Sequence, residues 1–216
     1  MNIYPSLMAA DQSNLQKEIE LLVPYCAGFH IDVMDNVFVP NLFWNNPNEV
    51  NEIVTMAKSV WVHLMVNSPI VFYEQLLLPI GSLVSFHIEL DIDIFGFAKT
   101  IREKKHKVSI AIRPKTPLAR IVPFLNIVDQ VLLMSVEPGF SGQPFLETTF
   151  DRIAELVAYR QEHDAHFRIG LDGGITQENI AGLTAQGVDD CAIATAIFKK
   201  EDHVAALQEL QELANM

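Results

Sequence analysis

The stretch His30-Ile31-Asp32-Val33-Met34-Asp35 is an apolar run in which residues that bind metals and move protons recur at alternate positions. Successive side chains of a β-strand point to opposite faces, so His30, Asp32 and Met34 share one face of a strand. Burying a neighbouring imidazole and carboxylate costs free energy unless a metal, a partner or a ligand satisfies them. The stretch alone is compatible with a hydrogen-bonded structural pair as well as with a functional site.

The composition favours one domain, residues 1–216, because half of the 216 residues are hydrophobic and no stretch has the composition of a linker. The formal net charge of −12 argues against a nucleic-acid partner, since clustered Lys and Arg bind phosphate backbones. A small phosphorylated ligand is compatible with this charge, because backbone N–H groups can bind it. Cys26 and Cys191 lack CxxC spacing and are too few for a disulfide framework or a cysteine-based zinc site.

No signal-peptide pattern follows Met1, and no run of about 18 apolar residues occurs. We therefore expect a cytoplasmic protein without a membrane partner, and we expect a homo-oligomer.

Short apolar, β-branched runs alternate with segments of helical period along the chain. The predicted strands are residues 2–7, 30–35, 60–65, 83–88, 108–112, 130–135, 168–172 and 191–194. Asn46-Pro47 and Thr116-Pro117 are typical helix starts, and Pro123 is expected to kink or end the helix after the fifth strand. Eight strand–helix units in series indicate a parallel sheet, either closed into a (β/α)8 TIM barrel or open and doubly wound.

Polar residues at the C-terminal ends of seven predicted strands favour the barrel. They are Ser6, His30, Asp32, His63, His87, the loop Gly139-Phe140-Ser141-Gly142, Asp172, and Ala194-Thr195. In a barrel these ends converge on one mouth, whereas strands at opposite edges of an open sheet cannot share a site. The sequence therefore predicts a (β/α)8 barrel with its site at that mouth.

Two imidazoles and two carboxylates come from three of these strand ends: His30, Asp32, His63 and Asp172. This mixed nitrogen and oxygen set suits zinc, ferrous iron or manganese. Two aspartates facing each other across a cavity can also invert a carbon atom, one abstracting a proton and the other supplying one to the opposite face. A metal between them would stabilise the resulting enediolate. A single histidine on an apolar strand, such as His87, is more typical of a core.

The loop Glu137-Pro138-Gly139-Phe140-Ser141-Gly142-Gln143 follows the sixth predicted strand. Its glycines allow backbone N–H groups to turn toward an anion, although the loop could also be a plain turn. Gly173-Gly174 and Ala194-Thr195 add two such turns on neighbouring units, which favours a phosphate site. Met34, Met65 and Met134 lie at strand ends, on the same strand faces as the candidate site residues. They are also compatible with core packing.

At these positions the sequence resembles the ribulose-phosphate 3-epimerase family, and the resemblance covers nearly the whole chain. Its most specific segments are Pro5-Ser6-Leu7, His30-Ile31-Asp32-Val33-Met34-Asp35, Phe38-Val39-Pro40-Asn41, Val62-His63-Leu64-Met65, Leu132-Leu133-Met134-Ser135-Val136-Glu137-Pro138-Gly139-Phe140 and Asp172-Gly173-Gly174-Ile175. The resemblance implies a (β/α)8 barrel enzyme of the pentose phosphate pathway. Such an enzyme interconverts D-ribulose 5-phosphate and D-xylulose 5-phosphate by inversion at C3.

The resemblance also implies residue roles. Asp32 would accept the proton and Asp172 would donate one, with the roles exchanged in the reverse direction. One divalent metal, zinc or ferrous iron before manganese or cobalt, would be held by His30, Asp32, His63 and Asp172. The substrate would contact Ser6, His63, Met34, Met65, Met134, Gly139, Phe140, Ser141, Gly142, Asp172, Gly173, Gly174, Ala194 and Thr195, with the methionines capping the enediolate.

Three positions depart from the family's usual pattern. Asp35-Asn36 replaces Asp-Gly, and asparagine also tolerates a left-handed backbone. Gly139-Phe140-Ser141-Gly142 replaces Gly-Phe-Gly-Gly. Ala194-Thr195 replaces Gly-Ser, where the alanine methyl group would crowd the phosphate if that backbone needed a positive φ. We expect these changes to affect phosphate affinity.

Three other functions remain compatible with the sequence. One is a 3-epimerase of a ketohexose 6-phosphate such as allulose 6-phosphate. A second is a phosphate-binding barrel lyase, although such lyases typically use a lysine at the mouth and no converging strand end carries one here. The third is a non-catalytic sugar-phosphate binder, which would not require two opposed aspartates and a metal.

Overall fold

The computed structural model describes residues 1–57 and 59–216, and they contain nine strands and eight α-helices. The strands β1 to β9 are Asn2–Pro5, Phe29–Asp35, Leu42–Phe43, Val60–Met65, Leu83–His87, Lys107–Ile112, Gln130–Met134, Arg168–Asp172 and Asp190–Ile193. The helices α1 to α8 are Leu15–Leu22, Pro47–Met56, Pro69–Glu74, Ile94–Glu103, Thr149–Glu162, Ile180–Ala185, Thr195–Phe198 and His203–Ala214. None of the helices in the described residues is long and apolar enough to cross a bilayer.

The strands form one sheet in the order β1-β9-β8-β7-β6-β5-β4-β2-β3. All neighbours are parallel except β2 and β3, which pair antiparallel. A parallel bridge between Ser6 and His30 joins the chain just after β1 to β2. The eight parallel strands therefore close on themselves with β3 as an appendage, which confirms the predicted barrel and excludes the open sheet.

The alternation of side chains along the strands separates an outer layer from the barrel interior. Ile31 and Val33 of β2 belong to the large buried cluster between the strands and the surrounding helices. A second cluster fills the inside of the barrel and consists of Trp61, Leu83, Ala111, Leu132, Met134 and Ala192. This packing leaves the polar ends of the same strands to form the mouth.

The register between strands places the predicted site residues at one level. Asp32 pairs with His63 across β2 and β4, and Met134 pairs with Asp172 across β7 and β8. At the other end of the barrel, buried Asp190 accepts hydrogen bonds from Asn2 at 2.9 Å, Gln130 at 2.9 Å and Arg168 at 2.6 and 2.7 Å. The N-terminal end is therefore filled by a polar network.

The helix starts follow the predicted signals in some units but not in the fifth. The side chain of Asn46 accepts a hydrogen bond from the N–H of Asn48, and Pro47 is the first residue of α2. The α-helix predicted after the fifth strand is wrong, because two short 3-10 turns, Leu118–Arg120 and Val122–Phe124, replace it. Pro123 lacks an N–H and its ring clashes with a preceding helical carbonyl, so this segment does not propagate an α-helix.

Candidate active site

The imidazole of His63 lies at the centre of the barrel mouth between two carboxylates. Its Nδ1 atom is 3.2 Å from Oδ1 of Asp32 and 3.3 Å from Oδ2 of Asp172. Nδ1 of His30 is 3.3 Å from Oδ2 of Asp32, which also accepts a hydrogen bond of 2.9 Å from the hydroxyl of Ser6. The fold therefore brings together four residues from three strands that are far apart in the sequence.

Burial and charge act in opposite directions on these groups. Burial opposes ionisation of Asp32, but the neighbouring His30 and His63 hold the pKa of its carboxyl well below its usual range. Burial likewise opposes protonation of His63, but hydrogen bonds to Asp172 and Asp32 raise its pKa to about 9. The cluster is thus arranged to hold positive charge between two carboxylates.

The donor set and its spacing fit a divalent cation. One ligand atom from each of His30, Asp32, His63 and Asp172 lies within 4.8 Å of the other three. Zinc bonds of about 2.0–2.1 Å in a tetrahedral site separate ligand atoms by about 3.3 Å, which matches the nitrogen–oxygen distances around His63. The Nε2 atom of His30 is buried without a hydrogen-bond partner among the described residues, which is unusual unless a ligand or water completes the site.

A cavity that opens to solvent adjoins this cluster. The sequence-predicted residues that line it are Ser6, Asp32, Met34, Met65, Met134, Gly139, Phe140, Ser141, Gly142, Asp172, Gly173, Gly174, Ala194 and Thr195. His30 and His63 are fully buried behind this lining. Met34 and Met65 pack with Val39 in a small buried cluster, so the apolar side of the cavity is formed by thioethers.

The glycine turns at the mouth have backbone conformations that other residues rarely adopt. Gly139, Gly142, Gly173 and Gly174 all have positive φ angles, between 66° and 122°. A Cβ atom on Gly173 would clash with Val136, so the β8 turn also requires glycine for space. These turns keep backbone close to the cavity.

The three departures from the family's usual pattern fit this backbone. Asn36 is left-handed with φ 57°, as expected for a residue in place of glycine. Ser141 does not adopt a positive φ. Ala194 has φ −102°, so its methyl group causes no left-handed strain, and the condition for that expected crowding is not met.

Two features of the mouth escaped the sequence analysis. Nζ of Lys199 lies 3.8 Å from the position that a Cβ atom of Gly142 would occupy, which places a cation beside the glycine loop. Nε2 of His87 lies 2.9 Å from Nε2 of His63, and Nδ1 of His87 lies 3.1 Å from Oε2 of Glu89. A lysine after a short helix has no sequence signature, whereas the two-residue spacing of His87 and Glu89 at the end of β5 could have suggested the pair.

Comparisons with known proteins agree with this geometry. The model of a family described as the ribulose-phosphate 3 epimerase family matches residues 2–198. Proteins named ribulose-phosphate 3-epimerase from Treponema pallidum and Aquifex aeolicus are 34% and 32% identical, respectively. The alignments cover 90% of this chain and 89% of the first protein, and 97% of this chain and 95% of the second. The Escherichia coli K12 protein of the same name is 31% identical, over 99% of this chain and 96% of its own length.

Solved structures show the same fold at low sequence identity. 3-Hexulose-6-phosphate synthase from Salmonella typhimurium has a TM-score of 0.68 at 15% identity, covering 100% of this chain and 99% of that one. KGPDC from Streptococcus mutans has a TM-score of 0.70 at 10% identity, covering 99% and 97%. These likenesses concern the barrel and not its chemistry.

We expect the purified protein to contain about one divalent cation per chain, removable by a chelator, because four donor atoms converge in a buried site. His63→Gln should weaken the affinity for the cation by more than the ~10–100-fold typical of replacing a residue that contacts only a metal ligand. Elemental analysis and metal titration of the stripped protein measure both effects. His163→Gln, which changes an exposed histidine, is the matched control. Wild-type protein that takes up no divalent cation would rule the site out.

Proposed function

Because the chain belongs to the ribulose-phosphate 3-epimerase family, we propose that it interconverts D-ribulose 5-phosphate and D-xylulose 5-phosphate at the barrel mouth. The enzyme is an epimerase that inverts C3 of the sugar. The observation that carries this proposal is the placement of the Asp32 and Asp172 carboxylates within 3.3 Å of one nitrogen of His63. Two carboxylates held this close to one point can serve the two faces of one carbon atom.

In the proposed mechanism, the carboxylate of Asp32 takes the proton from C3 of ribulose 5-phosphate. The electron pair of that C–H bond forms the C2–C3 double bond, and the carbonyl oxygen at C2 takes the negative charge of an enediolate. Protonated Asp172 then donates its proton to the opposite face of C3, and the carbonyl at C2 forms again. In the reverse direction the two residues exchange roles.

Neighbouring groups orient the two aspartates. The hydroxyl of Ser6 donates to Asp32, and the hydroxyl of Ser135 donates to the backbone carbonyls of Asp172 and Gly173 at 2.9 and 2.6 Å. The strands β2 and β8, which carry the aspartates, are separated by β1 and β9 around the ring. The carboxylates therefore approach the substrate from different sides of the mouth. A divalent cation bound by His30, Asp32, His63 and Asp172 supplies a Lewis acid that stabilises the enediolate charge.

The methionines and the glycine turns bind the two ends of the substrate in this proposal. Met34, Met65 and Met134 offer polarisable, apolar surface that keeps water from the enediolate. The turns at Gly139–142, Gly173-Gly174 and Ala194-Thr195 hold the phosphate. Lys199 adds a positive charge beside Gly142. Lys115, by contrast, pairs with Glu137 at 3.4 Å, whereas Lys199 makes no ion pair within the part of the chain that the structure describes.

The metal's identity, the assembly and the location remain predictions. Zinc and ferrous iron suit two imidazoles and two carboxylates, with manganese or cobalt as alternatives. A homo-oligomer in the cytoplasm is the assembly and place we infer. Lyase chemistry is disfavoured because the cavity lining contains no lysine among the described residues, and Lys199 lies beside Gly142 on the side of the phosphate turns.

The substrate is tested by comparing kcat/KM for ribulose 5-phosphate and allulose 6-phosphate. The phosphate turns and the aspartates fix the two ends of the sugar, so the distance between them selects chain length. One extra carbon is worth about 1–3 kcal/mol in such a site, which corresponds to ~10–200-fold. We expect the pentose to be preferred within this range. A preference for the hexose would contradict the pentose assignment while leaving the epimerase chemistry intact.

Asp172→Asn should lower turnover by at least the ~10²-fold typical of a general acid, because the amide cannot donate the proton. Asp32 remains able to remove the C3 proton, so exchange of solvent deuterium into ribulose 5-phosphate should fall much less than formation of xylulose 5-phosphate. NMR of the sugar in deuterated buffer measures both rates, with metal content checked. Asp151→Asn, an exposed change, is the control. Near-native turnover in folded, metal-loaded Asp172→Asn would refute the two-carboxylate mechanism.

Lys199→Gln should raise KM for ribulose 5-phosphate about 5–30-fold, since a hydrogen bond to a charged group is worth about 1.5–3 kcal/mol and exposure reduces that value. The kcat should stay nearly unchanged, because the ammonium group lies beside Gly142 and away from the aspartates. Lys200→Gln removes the same charge one residue further on and is the matched control. Equal KM values for the two variants would exclude a specific contact of Lys199 with the phosphate.

A further inference from the structure

A line of three side chains leads away from the aspartates and ends at Glu89, which is partly exposed. His63 contacts Asp32 and Asp172 through Nδ1, and its Nε2 lies 2.9 Å from Nε2 of His87. Nδ1 of His87 lies 3.1 Å from Oε2 of Glu89. Both rings are fully buried, and they stack with a centroid distance of 5.1 Å and an interplanar angle of 24°. The contacts form one continuous line from Glu89 to the mouth.

The direction of the protons along this line follows from hydrogen-bond chemistry. An ionised carboxylate only accepts hydrogen bonds, so Glu89 requires a proton on Nδ1 of His87. Burial disfavours a charged imidazole, and neutral His87 then carries a bare Nε2 that accepts. Two facing ring nitrogens at 2.9 Å share one proton, so Nε2 of His63 must be the donor. With the Nε2 proton donated to His87, a cation that displaces the proton on Nδ1 of His63 can bind that nitrogen between the two aspartates.

We propose that Glu89 and His87 are positioning residues that hold His63 in the tautomer whose Nδ1 atom faces Asp32 and Asp172 as a metal ligand. The inference rests on the metal-dependent epimerase function proposed above and extends it to two residues outside the cavity. Ligating histidines commonly donate their second N–H to an acceptor that fixes ring orientation. Here that acceptor is a second histidine, His87, and the carboxylate of Glu89 in turn accepts from His87.

The far end of the line is itself fixed. Oε1 of Glu89 accepts a hydrogen bond of 2.9 Å from the backbone N–H of Arg113. The guanidinium of Arg113 lies 4.4 Å from the ring centroid of Phe38 and donates to the carbonyl oxygen of Phe38 at 2.7 Å. The ring of Phe38 packs on His87 with a centroid distance of 4.7 Å. One carboxylate oxygen of Glu89 therefore contacts His87, and the other is held by the residue that follows β6.

Two substitutions of His87 separate proton direction from packing. His87→Gln can accept from Nε2–H of His63 through its carbonyl oxygen and donate to Glu89 through its amide, which preserves the direction. His87→Phe keeps the aromatic volume and the stacking surface but can neither donate nor accept. A role in packing alone predicts that Phe is the milder change. The proposed role predicts that Gln is the milder change.

The decisive measurement is the zinc affinity of stripped protein by competition with a chelator. We expect a 10–100-fold weaker affinity for His87→Phe and a change within about threefold for His87→Gln. Glu89→Leu should resemble His87→Phe, and it decides the question alone if His87→Phe does not fold. A wild-type zinc affinity in folded His87→Phe or folded Glu89→Leu would overturn the proposal. Equal losses of zinc affinity in His87→Gln and His87→Phe would overturn it as well. Absence of zinc binding by the wild type would instead remove the metal site itself.

His106→Phe is the matched control for loss of a buried histidine. Its ring nitrogens contact the hydroxyl of Tyr73 at 2.8 Å and the carbonyl oxygen of Leu78 at 3.3 Å, away from the mouth. This variant should lose thermal stability without a change in zinc affinity.

A second readout observes the tautomer directly. The ¹⁵N shifts of the zinc-loaded wild type should show His63 protonated at Nε2 and His87 protonated at Nδ1. In Glu89→Leu the ¹⁵N shifts of His87 should show its proton distributed between Nδ1 and Nε2, because no acceptor then holds the proton at Nδ1. A wild type with the proton of His87 at Nε2 would overturn the proposal, whatever the affinities.

Discussion

Burial of two carboxylates beside one imidazole is the constraint on which the mouth of this barrel depends. Asp32 is buried and Asp172 nearly so, and both lie against Nδ1 of His63. Two negative charges in such a place repel each other unless positive charge lies between them. The imidazole of His63 lies between the two carboxylates, His30 lies beside Asp32, and the hydroxyl of Ser6 donates a hydrogen bond to Asp32. The charge balance of the cluster therefore decides which chemistry the mouth can support.

The barrel itself does not decide the chemistry. The solved structures that share it at low identity, a 3-hexulose-6-phosphate synthase and KGPDC, carry different names from the family of this chain. A parallel barrel brings eight strand ends to one place, and the residues at those ends select the reaction. Here the ends carry imidazoles, carboxylates and methionines, and the family model matches residues 2–198, the range that contains them.

The parts of the structure that follow from the alternation of side chains along a strand were predictable from the sequence. His30, Asp32 and Met34 share a face because a strand alternates, and parallel strands bring Asp32 beside His63. The 3-10 turns after β6 were missed because the proline signals there resemble those of a true helix start. Lys199 was missed because its place depends on the turn after α7. His87 was placed among the strand ends at the mouth, but its contact with His63 was missed because a single histidine on an apolar strand is more typical of a core. Contacts between distant loops have no period, so only three-dimensional structure reveals them.

The ring of strands is joined least extensively where the site lies. Other parallel neighbours pair along continuous runs, for example β2 with β4 from Phe29 to Met34, whereas β1 and β2 meet at the single bridge between Ser6 and His30. Closure of this seam brings Ser6 against His30 and Asp32 of β2. A ligand that binds only the closed ring stabilises it by mass action, about 4 kcal/mol when its concentration is a thousandfold above Kd. Binding at the mouth and closure of this seam are thus thermodynamically linked, and slower amide exchange along β1 would report the occupancy of the mouth.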